Sequence, residues 1–154
     1  MTLHFAYGAN MSRAVMRRHA REAQPLGGAT LAGHRFVITA DGYASVMPAQ
    51  ASTVHGVLWR LSPRDVATLG AWENLEAGLY RAQMLPVRCA GRRVTALVYL
   101  ARPSGLGRPR RGYIELVVAA AREWGLPEPY VATLECFAPA HGRGPRRLDL
   151  GGSP

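Results

Sequence analysis

Apolar positions recur along the chain at two spacings. In "VHGVLWRL" (54–61) they alternate, with Val54, Gly56, Leu58 and Arg60 on one side and His55, Val57, Trp59 and Leu61 on the other. Alternation with apolar residues on both sides predicts a strand covered on both faces. Residues 2–7, "ATLAGHRFVIT" (29–39) and "YASVMP" (43–48) read as further strands, the last ended by Pro48. "YRAQMLPVRC" (80–89) and "RVTALVYLA" (93–101) predict a β-hairpin around Ala90-Gly91-Arg92. Pro86 puts the first arm of that hairpin at a sheet edge or a bulge.

Helical spacing governs the rest. Residues 11–20 predict a short helix with Met11, Ala14, Val15 and Arg18 on one side. A second helix runs from Pro63 into the low 70s: Ser62 can cap it, Pro63 suits its first position and Asp65 completes a capping box. Val66, Leu69 and Trp72 or Glu73 share one side of it. "GYIELVVAAAREWG" (112–125) carries Ile114, Val117, Val118, Ala121 and Trp124 as one apolar stripe, with Gly125 as its stop. "PYVATLECF" (129–137) predicts a last short helix. The expected class is α+β, a small mixed, mostly antiparallel sheet curling into a barrel flanked by helices.

The segment "HFAYGANMSRAVMRRH" (4–19) joins the first strand to the first helix through Gly8 and Asn10. Glycine permits backbone shapes that other residues resist, and asparagine is a good N-cap. Such a corner aims several backbone N–H groups at one place, which suits an anion.

Composition narrows the picture. The 154 residues, 48% hydrophobic, fit one domain with a real core. We read residues 1–139 as that domain and 140–154 as a basic tail, rich in Gly, Pro and Arg and expected to be mobile. Neither a leader pattern nor an apolar run of membrane-spanning length is present, so the expected location is the cytoplasm with no membrane partner. Cys89 and Cys136 stand far apart and read as reduced thiols, at least one in the core. The five histidines show no ligand spacing, so no metal is expected.

The net charge is +9, and all nineteen basic residues are Arg. That balance invites a nucleic-acid partner. However, the Arg residues are spread along the chain, and no nucleic-acid motif accompanies them, so a small-molecule role ranks higher. A monomer and a homodimer both remain open.

Three separated stretches resemble the gamma-glutamylcyclotransferase family: "FAYGANM" (5–11), "VHGVLWRLSPRDVATLGAWENLEAGLY" (54–80) and "GYIELVVAAAREWGLPEPYVATL" (112–134). They carry, in order, a YGSN-type loop, an acid seven residues before a Tyr, and a GLPxxY turn. The resemblance implies a small mixed barrel flanked by helices. It also implies cyclisation of a γ-glutamyl group, releasing 5-oxoproline and a free amine, without cofactor.

The chemistry sets its own demands. The substrate's α-amine attacks its own γ-carbonyl, so the reactants are already tethered; holding the reactive rotamer can be worth on the order of 7–11 kcal/mol. A carboxylate near both nitrogens can serve as base and then as acid. By the resemblance, Glu73 is that group, and its neighbours Leu69 and Trp72 would raise its pKa by desolvation. Glu76 is the rival; it does not match the motif and reads as a surface residue. Backbone N–H groups of Gly8, Ala9 and Asn10 would hold the α-carboxylate, with Tyr7 matching the Tyr of that loop. Tyr80 and Tyr113 match family positions that line the pocket. Taken singly, each feature is ordinary: a Gly turn, a solvated helix carboxylate, core aromatics. Tyr130, Trp59 and Trp124 read as packing.

The chain departs from the family pattern at Ala9, where Ser is usual, at Asn74, where Gly is usual, and at Gly70, where Asp is usual. The loop 101–111, with its Arg residues, is the candidate reader of the leaving group and points to an acidic or phosphate-bearing one. A plain solvated loop is an equal reading. Two alternatives stay open: a specialised relative that removes a γ-glutamyl protecting group in a biosynthetic pathway, and a small-molecule-binding homologue without turnover.

Overall fold

A computed structural model describes residues 1–73 and 78–138. Asn74, Glu76 and the tail 140–154 lie outside the described residues, and so do the expectations attached to them. Among the described residues the strands are β1 (Thr2–Ala6), β2 (Gln24–Ile38), β3 (Ala44–Leu61), β4 (Tyr80–Cys89) and β5 (Arg92–Ala101). The helices are α1 (Arg13–His19), α2 (Pro63–Trp72), α3 (Tyr113–Glu123) and α4 (Glu128–Glu135), and a 3-10 turn covers Ala9–Met11.

The strands close into a barrel in the order β1-β3-β2-β4-β5. All pairs are antiparallel except β1 with β5, where His4 pairs with Leu97 in parallel. The expected mixed, mostly antiparallel barrel is therefore what the chain forms, closed by the short β2–β4 and β1–β5 ladders.

Local chemistry explains several boundaries. The β4–β5 turn needs only Ala90 and Gly91, because Cys89 already pairs with Arg92. Both turn residues have positive φ, 51° and 75°. That is the primed turn whose twist matches the flanking strands. Pro86 sits where β4 pairs only with β5, on the side away from β2. Ser62 and Asp65 form the full capping box of α2. On α3, Ile114, Val117, Val118 and Ala121 are buried, and Gly125 follows with φ 64°.

Other expectations fail for reasons of tertiary context. Pro48 does not end a strand: β3 runs on through it, and β2 runs from Gln24 rather than 29. Pro48 faces His34 beside a register shift between Ala32 and His34, where β2 is its only ladder partner. A missing N–H is tolerated there. The helix expected over 11–20 is broken at Ser12, whose side chain caps α1 by accepting from Val15 N–H at 3.3 Å. The break changes the phase, so Met16 is buried while Ala14 and Arg18 are exposed. Of the cysteines, Cys89 is half-buried against the core and Cys136 is exposed.

The covered faces of β3 show why both its rows are apolar. Trp59 is buried and meets Trp124 edge-on at 5.6 Å, at the end of α3. On the other row, a Cβ at Gly56 would stand 2.2 Å from Ala6 O and within 2.9 Å of the Phe5 ring. Only glycine lets β1 approach this closely. Trp124 is half-buried rather than fully in the core; its Nε1 donates to Met11 O at 2.7 Å, fastening α3 to the turn after β1. Tyr130 packs against His55, ring centroids 4.8 Å apart.

Candidate functional site

A cavity of about 480 Å³ opens beside the end of β1. Tyr7, Gly8, Ala9, Asn10, Glu73, Tyr80 and Tyr113 all line it. These are the seven positions singled out in the sequence, and they arrive from four separate stretches of chain. Tyr7 to Asn10 continue from β1 into the 3-10 turn, Glu73 ends α2, Tyr80 opens β4, and Tyr113 opens α3.

Glu73 is placed by its own helix. It is the residue just past Trp72, and its N–H closes the last turn onto Leu69 O at 2.9 Å. Leu69 is fully buried, which fixes the helix against the core. Trp72 is on the exposed side and stacks on His19, centroids 4.0 Å apart. So the apolar side of α2 is set by Leu69, and the chain turns at Glu73 to direct its carboxylate into the cavity.

Asn10 does not cap a helix. It lies inside the 3-10 turn, and its side-chain Nδ2 donates to Glu73 Oε1 at 2.6 Å. The donation leaves Oδ1 as a buried acceptor with no partner among the described residues. Burial pushes the Glu73 carboxyl up to about 7, and the Asn10 hydrogen bond acts against that rise. A carboxyl poised there exchanges protons easily near neutral pH.

Gly8 is needed for space rather than for an unusual φ, since its φ is −117°. A Cβ there would stand 3.0 Å from Tyr113 Oη and 3.5 Å from Ala44 Cβ. The missing side chain lets Tyr113 come down over the loop.

Two tyrosines grip one residue at the start of β3. Tyr80 Oη donates to Ala44 O at 3.1 Å, and Tyr113 Oη accepts from Ala44 N–H at 3.2 Å. Their chemistry therefore differs. The Tyr80 proton is committed to Ala44 O, while the Tyr113 proton stays available to a ligand. Burial raises the Tyr113 hydroxyl to about 12, with hydrogen bonding from the Ala44 backbone opposing it. Burial also raises Tyr80 and Tyr7, so all three hydroxyls stay protonated. Tyr7 Oη donates to Tyr99 O at 2.5 Å, which makes it a wall of the cavity rather than a donor into it.

Sequence reading missed His4, Tyr43 and Tyr99, which line the same cavity. Tyr99 shows no local signal, being one more aromatic in a strand. His4 sits in an apolar strand and reads as one of five scattered histidines. The loop 101–111 does not line the cavity among the described residues. It reaches the mouth only where the Arg110 guanidinium covers the Tyr43 ring, 4.6 Å from its centroid, while Nε donates to Asp41 O at 3.0 Å. No Arg is among the described lining residues, so the expected acidic leaving group finds no cationic partner there.

No helix of the described residues is long and apolar enough to cross a membrane.

Residues 53–134 match the model of the AIG2-like family. A mouse protein, gamma-glutamylcyclotransferase, is 26% identical over 104 residues, covering 67% of this chain and 55% of that protein. The chain thus aligns with little more than half the length of this curated relative. Among solved structures, a gamma-glutamyl cyclotransferase superposes with a TM-score of 0.84 at 22% identity, covering 93% of this chain and 91% of the other. An uncharacterized protein from Homo sapiens gives a TM-score of 0.84 at 23% identity, with the same coverage of 93% and 91%. At these identities the two structures speak to the fold, which they share with this chain.

Proposed function

The chain belongs to the AIG2-like family, and on that premise we propose that it cyclises a γ-glutamyl amide to 5-oxoproline and a free amine. The observation that carries the reading is the hydrogen bond of 2.6 Å from Asn10 Nδ2 to Glu73 Oε1. It joins the loop suited to an α-carboxylate to the one carboxylate among the described lining residues.

In this reading the α-carboxylate lies against the backbone N–H groups of residues 8–10. The first N–H groups of a helical turn lack acceptors within the turn. The α-ammonium then meets two acceptors, the Glu73 carboxylate and Asn10 Oδ1. Glu73 removes a proton, and the neutral amine attacks the γ-carbonyl carbon. The new C–N bond closes a five-membered lactam, and the original amide C–N bond breaks. The α-nitrogen loses two protons in all and the leaving nitrogen gains two, so no proton is consumed. Glu73 carries them across. Tyr113 Oη donates toward the γ-carbonyl oxygen as it becomes negative.

The test is a panel of γ-glutamyl amides assayed for 5-oxoproline, with Glu73→Gln beside the wild type. Product from the wild type and none from a folded Glu73→Gln supports the reading. Retained turnover in that variant removes Glu73 from the mechanism.

A further inference from the structure

One buried polar group of the cavity has no place in that mechanism. His4, on β1, is 1% exposed and lines the cavity. Its Nδ1 lies 2.9 Å from Leu97 O. A carbonyl oxygen can only accept, so Nδ1 carries the proton and Nε2 presents a lone pair. Nε2 is buried without a partner among the described residues. Burial lowers His4 to about 4, with the Leu97 bond opposing it, so the ring is neutral at physiological pH. A buried acceptor left unpaired costs free energy, and a ligand that pairs with it recovers that cost.

The position of His4 says which part of the ligand it meets. His4 stands four positions before Gly8 along β1 and its continuation, at most about 13 Å away by backbone. The five-carbon glutamyl skeleton is no longer than about two extended residues, ~7 Å. A γ-glutamyl head held at residues 8–10 therefore spans about half of that backbone distance, and the part of the ligand beyond the γ-carbonyl is what continues toward His4. Donor counting agrees. The ammonium is met by Glu73 and Asn10, the two methylenes have no donor, and the γ-carbonyl is itself an acceptor. Only the leaving half has donors left to offer.

We propose that His4 is a specificity-determining residue of this pocket: its Nε2 accepts a hydrogen bond from an N–H or O–H borne by the leaving amine beyond the scissile nitrogen. The chain then favours γ-glutamyl amides of small amines that carry such a donor. This rests on the cyclotransferase reading above.

The test compares γ-glutamyl ethanolamide with γ-glutamyl propylamide, which differ by a hydroxyl in place of a methyl. The wild type is expected to favour the ethanolamide in kcat/KM by about tenfold or more. His4→Phe is expected to abolish that preference while still turning over the propylamide. A wild-type ratio near one, or a preference that survives in His4→Phe, overturns the proposal. If neither amide yields 5-oxoproline, calorimetric binding of the same two amides to the wild type decides the role of His4, and the cyclotransferase reading itself fails only if the wider panel of γ-glutamyl amides also gives no product. Preferential binding of the ethanolamide keeps it; equal or absent binding ends it. Should His4→Phe not fold, nitrogen NMR of histidine-labelled wild type replaces it. The ethanolamide should move the His4 Nε2 resonance and the propylamide should not; movement by both or neither overturns the assignment.

Discussion

Asn10 Nδ2 reaches Glu73 Oε1 at 2.6 Å across 63 residues of sequence, joining the turn after β1 to the end of α2. The bond does two things at once. It orients the carboxylate, and it favours the charged form against a desolvation that favours the neutral one.

The acid limb of kcat/KM should therefore fall near pH 7, where the buried Glu73 titrates. In the proposed mechanism activity requires the carboxylate, so it is lost as pH drops below that point. Asn10→Ala removes the stabilising donor and should move the limb to higher pH as well as lowering kcat. A limb that stays in place in Asn10→Ala would separate the two residues mechanistically.

Tyr80 and Tyr113 should separate on mutation. Tyr113→Phe removes a proton free to reach the substrate and should lower kcat by roughly ten- to a hundredfold. Tyr80→Phe removes a donor already committed to Ala44 O. It should cost about 1 kcal/mol of stability and change kcat less. Steady-state kinetics with denaturant midpoints on both variants distinguishes the outcomes.

Gly8→Ala should impair the site through Tyr113. The added methyl stands 3.0 Å from Tyr113 Oη and must push it from its place over the loop. In a Tyr113→Phe background the obstructing oxygen is gone, so the same substitution should cost less. A double-mutant cycle on kcat/KM reads the coupling, and strict additivity would contradict the contact.

Two buried groups give the stability a specific dependence on pH. His4 titrates near 4 when folded against 6.5 ordinarily. The unfolded chain binds that proton first, so falling pH destabilises the fold over this window. Glu73 titrates near 7 when folded against 4.5 ordinarily. The native state binds that proton first, so falling pH stabilises the fold over its window. The two slopes oppose each other between about pH 4.5 and 6.5. Glu73→Gln removes the opposing slope and leaves that of His4, up to about 1.4 kcal/mol per pH unit. Unfolding midpoints between pH 4.5 and 6.5 should fall with acid more steeply in the variant than in the wild type.

What the chain determined by itself lies in stretches of a few residues. Ser62 and Asp65 cap α2 because their partners are three positions apart, and Ala90-Gly91 turns the hairpin because the conformation is local. The α3 stripe shows its buried side because helical geometry repeats every turn. A family resemblance carried by three separated motifs brought the seven site positions together before any contact was known. Tertiary structure decided the rest. Pro48 stays in β3 because β2 tolerates it there, and Met16 rather than Ala14 is buried because Ser12 resets the phase of α1. Asn10 gives up the capping role that its type favours to hold Glu73, and His4 becomes a cavity acceptor only because the barrel closes Leu97 against its other nitrogen. Local propensity acts over a few bonds. The cavity is made by strands and helix ends that meet only when the barrel is closed, so its chemistry is a property of that closure.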